Sequence, residues 1–343
     1  MQLIIHFCCQ VIQKQPCWNG LSWKYRHVVI DKIWQARKAS TIDKYCYALK
    51  DFLSFCRTNN IELNLPLDSL SVANYLIFVS QTKKSQSAVS TAVVALKWLY
   101  SFIPGISALN NPLNEDFLNR ISQSETRNKI KFKKRKKPLS NDMIHMILNN
   151  IDSKKKPSLA ELRNALIPCL AYALLLRHDE IAHLNCNHIS IVKDGLKILI
   201  PSSKTDIYRE GKFVFLAKDN HRLYALVFRY LKKARLNLND NHFLFTGIKY
   251  DKSLRDFAVT NSKLTYNVFR EIVKKAVLEL GYDPNEFGTH SCRSGGATDL
   301  APHISEYELL ISGRWSDSRS IGSYVEIPQE RRIEINNVLG LNS

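Results

Sequence analysis

The sequence contains no GxxxxGK[ST] loop and no GxGxxG, so nothing in it is built to cradle the phosphates of ATP or of a dinucleotide. HExxH and paired CxxC spacings are missing too, which removes the common zinc patterns. The eight cysteines are scattered and only Cys8 and Cys9 are adjacent, so no disulfide framework is legible and a reduced, intracellular compartment fits best. No stretch approaches about 18 uninterrupted apolar residues, which argues against an integral membrane protein. The opening MQLIIHFCCQVI is apolar but short and is interrupted by His6 and Gln10, a poor signal peptide. Acidic residues are also few. Against 31 Asp and Glu stand 49 Lys and Arg, a formal charge of +18, and this excess points to a polyanionic partner, with nucleic acid the leading candidate. Any chemistry must come from side chains alone, with no cofactor and no metal expected.

What is present is enough for two domains. The chain has 343 residues, 45% of them hydrophobic, which supports one large or two ordinary cores. Ile42, Tyr45, Leu49, Phe52, Leu53 and Cys56 recur at three- and four-residue steps and predict an amphipathic helix behind a Ser40 cap. Val72, Tyr75, Leu76 and Val79 predict a second helix, and Val89, Ala92, Val93, Leu96 and Tyr100 a third that Pro104 stops. A shorter fourth follows Pro112. Residues 35–125 therefore read as an all-helical bundle after a lead-in of residues 1–34.

Residues 126–139 carry the run RNKIKFKKRKKPLS. Lys131, Lys133, Lys134, Arg135, Lys136 and Lys137 cannot pack against one another, so the run is either a solvated linker or one neutralised by phosphates. It is also a weak nuclear-localisation-like patch, which would place the protein in the nucleus of a eukaryotic cell. Residues 140–343 mix elements. A long buried helix is expected through SLAELRNALIPCLAYALLLR and on into HDEIAHLNCNHI. A hairpin turning at Lys193, Asp194 and Gly195 follows, then the strand KFVFLA, and helices again from HRLYALVFRYLKKARL to the end. The fold class is mainly α, with a small antiparallel sheet in an α+β C-terminal domain.

Each candidate for chemistry has an ordinary reading. Arg177 and Glu180 are spaced as a surface ion pair, and Lys204 in PSSKTD as a solvated strand-end charge. His290 and Arg293, three apart in GTHSCRSGGATDLA, fit a helix cap and a surface charge, and Trp315 fits packing. Tyr324 is one of 14 tyrosines. Their order carries more. An RxxE after a buried helix, a Lys on a following hairpin, an HxxR at a helix start and a Gly-x-Trp with a Tyr nine residues on resemble the tyrosine recombinase (phage-type integrase) family. The preceding helices resemble that family's SAM-like core-binding domain.

The resemblance implies that residues 35–125 form a core-binding domain, that 126–139 link it, and that 140–343 form the catalytic domain. It implies Tyr324 as nucleophile, Arg177 and Arg293 as clamps on the scissile phosphate, Lys204 as general acid and His290 as an aid to proton transfer. Trp315 would stand where many members have a second His, and Glu180 at the acidic position after the first Arg. Lys212, across the turn, is the fallback for Lys204. The implied activity is site-specific breakage and rejoining of double-stranded DNA by a homotetramer on DNA, through a 3′-phosphotyrosine. The chemistry is consistent. Fixed guanidiniums favour a five-coordinate phosphorus over the less charged ground state. A tyrosyl ester conserves the bond energy, so no ATP is needed. Indole, unlike imidazole, cannot relay a proton, so Trp315 shifts acid–base duty to His290 and Lys204. Gly295 and Gly296 would permit close helix packing or close approach to DNA. Type IB topoisomerase chemistry and a catalytically silent DNA-binding protein are the alternative readings.

Overall fold

The structure is a computed structural model and describes residues 22–103, 105–106, 111–127, 135–201, 211–326 and 333–334. The chain divides into two compact units, Met1–Lys133 and Lys134–Ser343. Among the described residues no helix is long and apolar enough to cross a membrane.

The first unit is helical: α1 (Trp23–Gln35), α2 (Ala39–Thr58), α3 (Ser69–Lys83), α4 (Gln86–Tyr100) and α5 (Asp116–Arg127), with a 3₁₀ turn at Pro112–Asn114. The apolar spacing in the sequence does what it should. Ile42, Leu49, Phe52, Val72, Leu76, Val89, Ala92 and Leu96 all bury in one core. One expectation needs correction. Ser40 does not cap α2, because the helix already starts at Ala39 and Lys38 holds the extended capping position. Residues 23–35, for which the sequence suggested no element, form α1, and Ile30 enters the same core. A Trp34–Trp98 edge-to-face contact at 4.7 Å ties α1 to α4.

The second unit is arranged around α7 (Leu159–Ala173), against which α6 (Asn141–Asp152), α9 (His221–Ala234), α10 (Tyr266–Glu279) and α11 (Ser291–Leu300) pack. Ser158 and Glu161 close a reciprocal capping box at the start of α7. The helix does not run on through Arg177. Leu175 takes a left-handed conformation at φ 50°, and a separate short helix, α8 (His178–Ala182), follows. The break has a tertiary cause: the carbonyls of Leu174 and Leu175 accept from arginines far along the chain.

An antiparallel sheet of β1 (Ile189–Val192), β2 (Gly195–Ile200) and β3 (Lys212–Ala217) comes next. Pairings such as Ile198 with Val214 and Leu196 with Leu216 put one apolar face on the core. Phe213 and Phe215 stay exposed on the other face. A second hairpin, β4 (Thr246–Asp251) and β5 (Asp256–Lys263), lies before α10 and was absent from the sequence expectation. The last named elements among the described residues are α12 (Glu306–Gly313) and α13 (Ser318–Ile321), both within the all-helical expectation for this part of the chain.

Gly295 and Gly296 are explained by packing. A Cβ on Gly295 would stand 1.9 Å from the Leu139 carbonyl oxygen, and one on Gly296 2.2 Å from that of Tyr172. Bare backbone lets α11 sit directly on α7 and on the segment entering α6. The same segment is anchored by Lys137 N–H donating to the Glu286 carbonyl at 2.8 Å and Leu139 N–H to that of Ser291 at 2.9 Å.

Candidate active site

Four side chains distant in sequence meet at the break after α7. Glu180, 3% exposed, is the hub. Its Oε1 accepts from Arg177 Nη1 at 2.8 Å, and its Oε2 accepts from the Arg177 backbone N–H and from Arg314 Nη2, both at 2.9 Å. Arg293 Nη1 stands 4.0 Å from the same oxygen. The expectation of an exposed Arg177–Glu180 pair is therefore corrected: the Glu180 side chain is 2% exposed and that of Arg177 13%. Arg177, the N-cap of α8, is positioned by the carboxylate itself, since Glu180 at the third helical position accepts its backbone N–H.

Arg293 comes from the first turn of α11 and is wholly buried. Its Nη1 donates to the Leu175 carbonyl and its Nη2 to that of Gly313, while its Nε has no partner. Its guanidinium carbon lies 4.4 Å from the centre of the Trp315 ring and 5.1 Å from that of Tyr324. Burial, then the guanidinium of Arg177, lower its pKa, with Glu180 opposing. Both effects penalise its charge, a penalty that a bound anion would relieve.

Tyr324 follows α13 and is half-buried. Its backbone N–H donates to Ile321 at 2.7 Å, and its carbonyl accepts from Thr298 Oγ1 at 3.4 Å, so the strand after α13 is fastened to α11. The Trp315 ring centre is 5.2 Å from that of Tyr324, and the His290 ring centre is 6.0 Å away on an exposed side chain. His290 and Arg293 do not share a helix face, since one is exposed before α11 and the other buried within it. They converge instead on the same tyrosine ring. Trp315 is 8% exposed and its Nε1 is buried without a partner.

Of the remaining sequence candidates, Lys204, Lys131, Lys133 and Lys134 lie outside the described residues. Lys212 opens β3 and is exposed. Arg135, Lys136 and Lys137 are exposed on the second unit, where Lys137 Nζ pairs with Glu286 at 2.6 Å and Lys136 Nζ donates to the Asn285 carbonyl.

Arg314 is the member that sequence reasoning passes over. It lies in the left-handed region at φ 54°, is 6% exposed, and donates to the carbonyls of Ser312 at 2.9 Å and Leu175 at 2.7 Å besides Glu180. In a chain with 49 basic residues one more Arg carries no signal of its own. The only local hint is its place between an apolar helix and a tryptophan.

Among the described residues three guanidiniums share the Glu180 carboxylate, an excess of positive charge on side chains at most 13% exposed. Unpaired buried charge is costly, so the site is complementary to an anion with several acceptor oxygens. Such a site beside a half-buried tyrosine, on a helical frame with a small antiparallel sheet, is the arrangement of the tyrosine recombinase class. Residues 137–327 match the phage integrase family, and that span is more than half of the chain. The protein belongs to this family, whose activity is site-specific cleavage and rejoining of DNA.

A relative from Selenomonas ruminantium, an integrase/recombinase XerD homolog, is 24% identical over 293 residues, covering 85% of this chain and 83% of its own. Among solved structures, the XerH site-specific recombinase bound to palindromic difH substrate in a post-cleavage complex aligns with a TM-score of 0.64 at 15% identity, over 98% of this chain and 95% of its own. The Tn1549 transposon integrase in complex with transposon right end DNA aligns with a TM-score of 0.53 at 13% identity, over 97% and 99%. At such identities these two structures speak for the fold.

Proposed function

We propose that Tyr324 attacks a DNA phosphodiester held by Arg177 and Arg293. The observation that carries the reading is the excess of positive charge beside that ring. The Tyr324 Oη–phosphorus bond forms as the phosphorus–O5′ bond breaks, leaving a 3′-phosphotyrosine and a free 5′-hydroxyl. The tyrosine proton leaves toward His290 or solvent, and Lys204 delivers a proton to the departing O5′. A phosphodiester carries one negative charge and the five-coordinate transition state gathers a second, so a site with positive charge in excess favours the transition state over the ground state. Trp315 Nε1, a donor with no protein partner, is suited to a non-bridging oxygen. Reversal with the 5′-hydroxyl of another strand completes exchange without ATP.

In this reading the first unit is the core-binding domain, the second the catalytic domain, and the basic residues 131–137 cross the backbone of duplex DNA between them. The active assembly is a homotetramer on DNA. Ile333, 54% exposed and followed in sequence by Ile335, Val338 and Leu339, supports an apolar tail that docks onto a neighbour.

Covalent capture tests the nucleophile. Wild-type protein and Tyr324→Phe are incubated with a pool of randomised, nicked duplexes, denatured, and probed for DNA attached to protein. An adduct in wild type alone, mapped to Tyr324, is the expected result. An adduct of equal yield in Tyr324→Phe overturns the assignment, and tight binding with no adduct in either points to a silent DNA-binding protein.

A further inference from the structure

We infer that Arg314 is a positioning residue that holds Glu180 to one oxygen's worth of contact with Arg177, and so keeps an Arg177 nitrogen free for the phosphate. The inference rests on the proposed catalytic role of Arg177. Glu180 has two oxygens and three guanidiniums around it. Left with Arg177 alone, a carboxylate adopts the two-point fork with both terminal nitrogens, the strongest geometry open to the pair. That fork would neutralise Arg177 on both nitrogens and turn it from any ligand.

The structure has a different arrangement. Arg314 Nη2 and the Arg177 backbone N–H occupy Oε2, both at 2.9 Å, and only Nη1 of Arg177 is engaged, at Oε1. Arg177 Nη2 makes one long contact, 3.5 Å, to the carbonyl of Arg314 itself. The same residue therefore fixes the carboxylate with its side chain and marks the resting place of the free nitrogen with its backbone. Arg314 also holds the Leu174 and Leu175 carbonyls, at 3.3 Å and 2.7 Å, which are the turn that delivers Arg177. Burial is the largest single influence and raises the Glu180 pKa, but the charge and hydrogen bond of Arg314 and the backbone N–H and charge of Arg177 together outweigh it and keep the carboxyl ionised.

The Arg314 guanidinium donates to Glu180 and to the main-chain oxygens of Leu174, Leu175 and Ser312. An arginine needed only to finish α12 would require the Ser312 and Leu174 carbonyls and no carboxylate.

The test is a double-substitution cycle read by single-turnover cleavage of a nicked duplex, with duplex affinity and thermal unfolding measured alongside. Arg314→Met slows cleavage by about 10²-fold, the usual consequence of misplacing a group by about 1 Å, while affinity changes by less than about threefold. Arg314→Lys restores part of the rate, since one ammonium reaches Oε2 but cannot also span the carbonyls. In a Glu180→Gln background, Arg314→Met slows cleavage by less than about threefold, because the carboxylate through which it acts is gone. A full 10²-fold loss in that background overturns the inference, as does wild-type cleavage by Arg314→Met. If Arg314→Met does not fold, the cycle is run with Arg314→Lys, and equal slowing with and without the Glu180 carboxylate overturns it. Absence of any wild-type adduct is a separate outcome: it removes the catalytic reading itself, whereas an active wild type with an indifferent Arg314 removes only this inference.

Discussion

Replacing Gly313 by alanine puts a methyl group where the Trp315 ring already is. A Cβ there would stand 1.8 Å from Cζ3, 2.0 Å from Cε3 and 2.4 Å from Cη2 of the indole. Carbon atoms rest at about 3.5–4.0 Å, so the ring must retreat by roughly 1.5–2 Å. It has little room, being 8% exposed with the Arg293 guanidinium carbon at 4.4 Å and the Tyr324 ring at 5.2 Å. Overpacking of this kind costs about 1–3 kcal/mol. For a unit of roughly 150–250 residues each kcal/mol lowers Tm by about 2–4 °C, so a fall of roughly 2–12 °C is expected. Cleavage should suffer more than stability, because the displaced ring pushes on both Arg293 and Tyr324, and a shift of about 1 Å is worth about 10²-fold in rate. The assay is differential scanning calorimetry beside single-turnover cleavage, for Gly313→Ala alone and in a Trp315→Ala background. With the indole gone, the three atoms nearest the methyl group are removed, and an alanine within a helix gains about 0.5–1 kcal/mol over glycine. Equal destabilisation by Gly313→Ala with and without the indole would refute the steric argument and leave the glycine to be explained by its backbone.

Two further outcomes follow from the same unit. Gly295→Ala and Gly296→Ala each set a methyl against a main-chain oxygen, at 1.9 Å and 2.2 Å, and backbone does not yield as a side chain does, so each lowers the unfolding midpoint in denaturant by an amount worth about 1–3 kcal/mol or more. Glu180 is held below the usual carboxylate pKa by Arg314 and Arg177 against the opposing pull of burial, so its stabilisation is full above the unfolded value of about 4.3 and disappears as pH falls through the lower folded value. Denaturant midpoints measured from neutral pH into acid should show the gap between wild type and Glu180→Gln narrowing below about pH 4; a constant gap would show that the carboxylate is not the titrating group.

Much of this architecture was written locally. The helices of the first unit follow from three- and four-residue spacing, which reports the face that meets a core, and β3 from the short aromatic and β-branched run KFVFLA. The break before Arg177 was not, and for a definite reason. LAYALLLRH has no glycine or proline to stop a helix, and the stop comes from Arg293 and Arg314 drawing the Leu174 and Leu175 carbonyls out of the helical ladder. The β4–β5 hairpin escaped for the opposite reason: of its strand residues only Thr246 is buried, so no alternation marks it, and its turn places Arg255 rather than glycine at φ 49°. In the site, Arg177, Glu180, His290, Arg293, Trp315 and Tyr324 were visible by order and spacing. Arg314 was not, because its partner is a carboxylate 134 residues earlier.

The hold on the Leu174–Leu175 turn also bears on the timing of synthesis. Its carbonyls are claimed by side chains that leave the ribosome 118 and 139 residues after Leu175. A nascent chain that has already released α7, the sheet and α9 has Glu180 to hold Arg177 but neither of the two arginines that hold the turn before it. That turn is secured only when the last elements, which also bring Tyr324, come down onto α7. Tyr324 and Arg177, the proposed nucleophile and clamp, are thus installed by one folding event, and an unfinished polypeptide carries its basic residues without the assembly proposed to cut DNA.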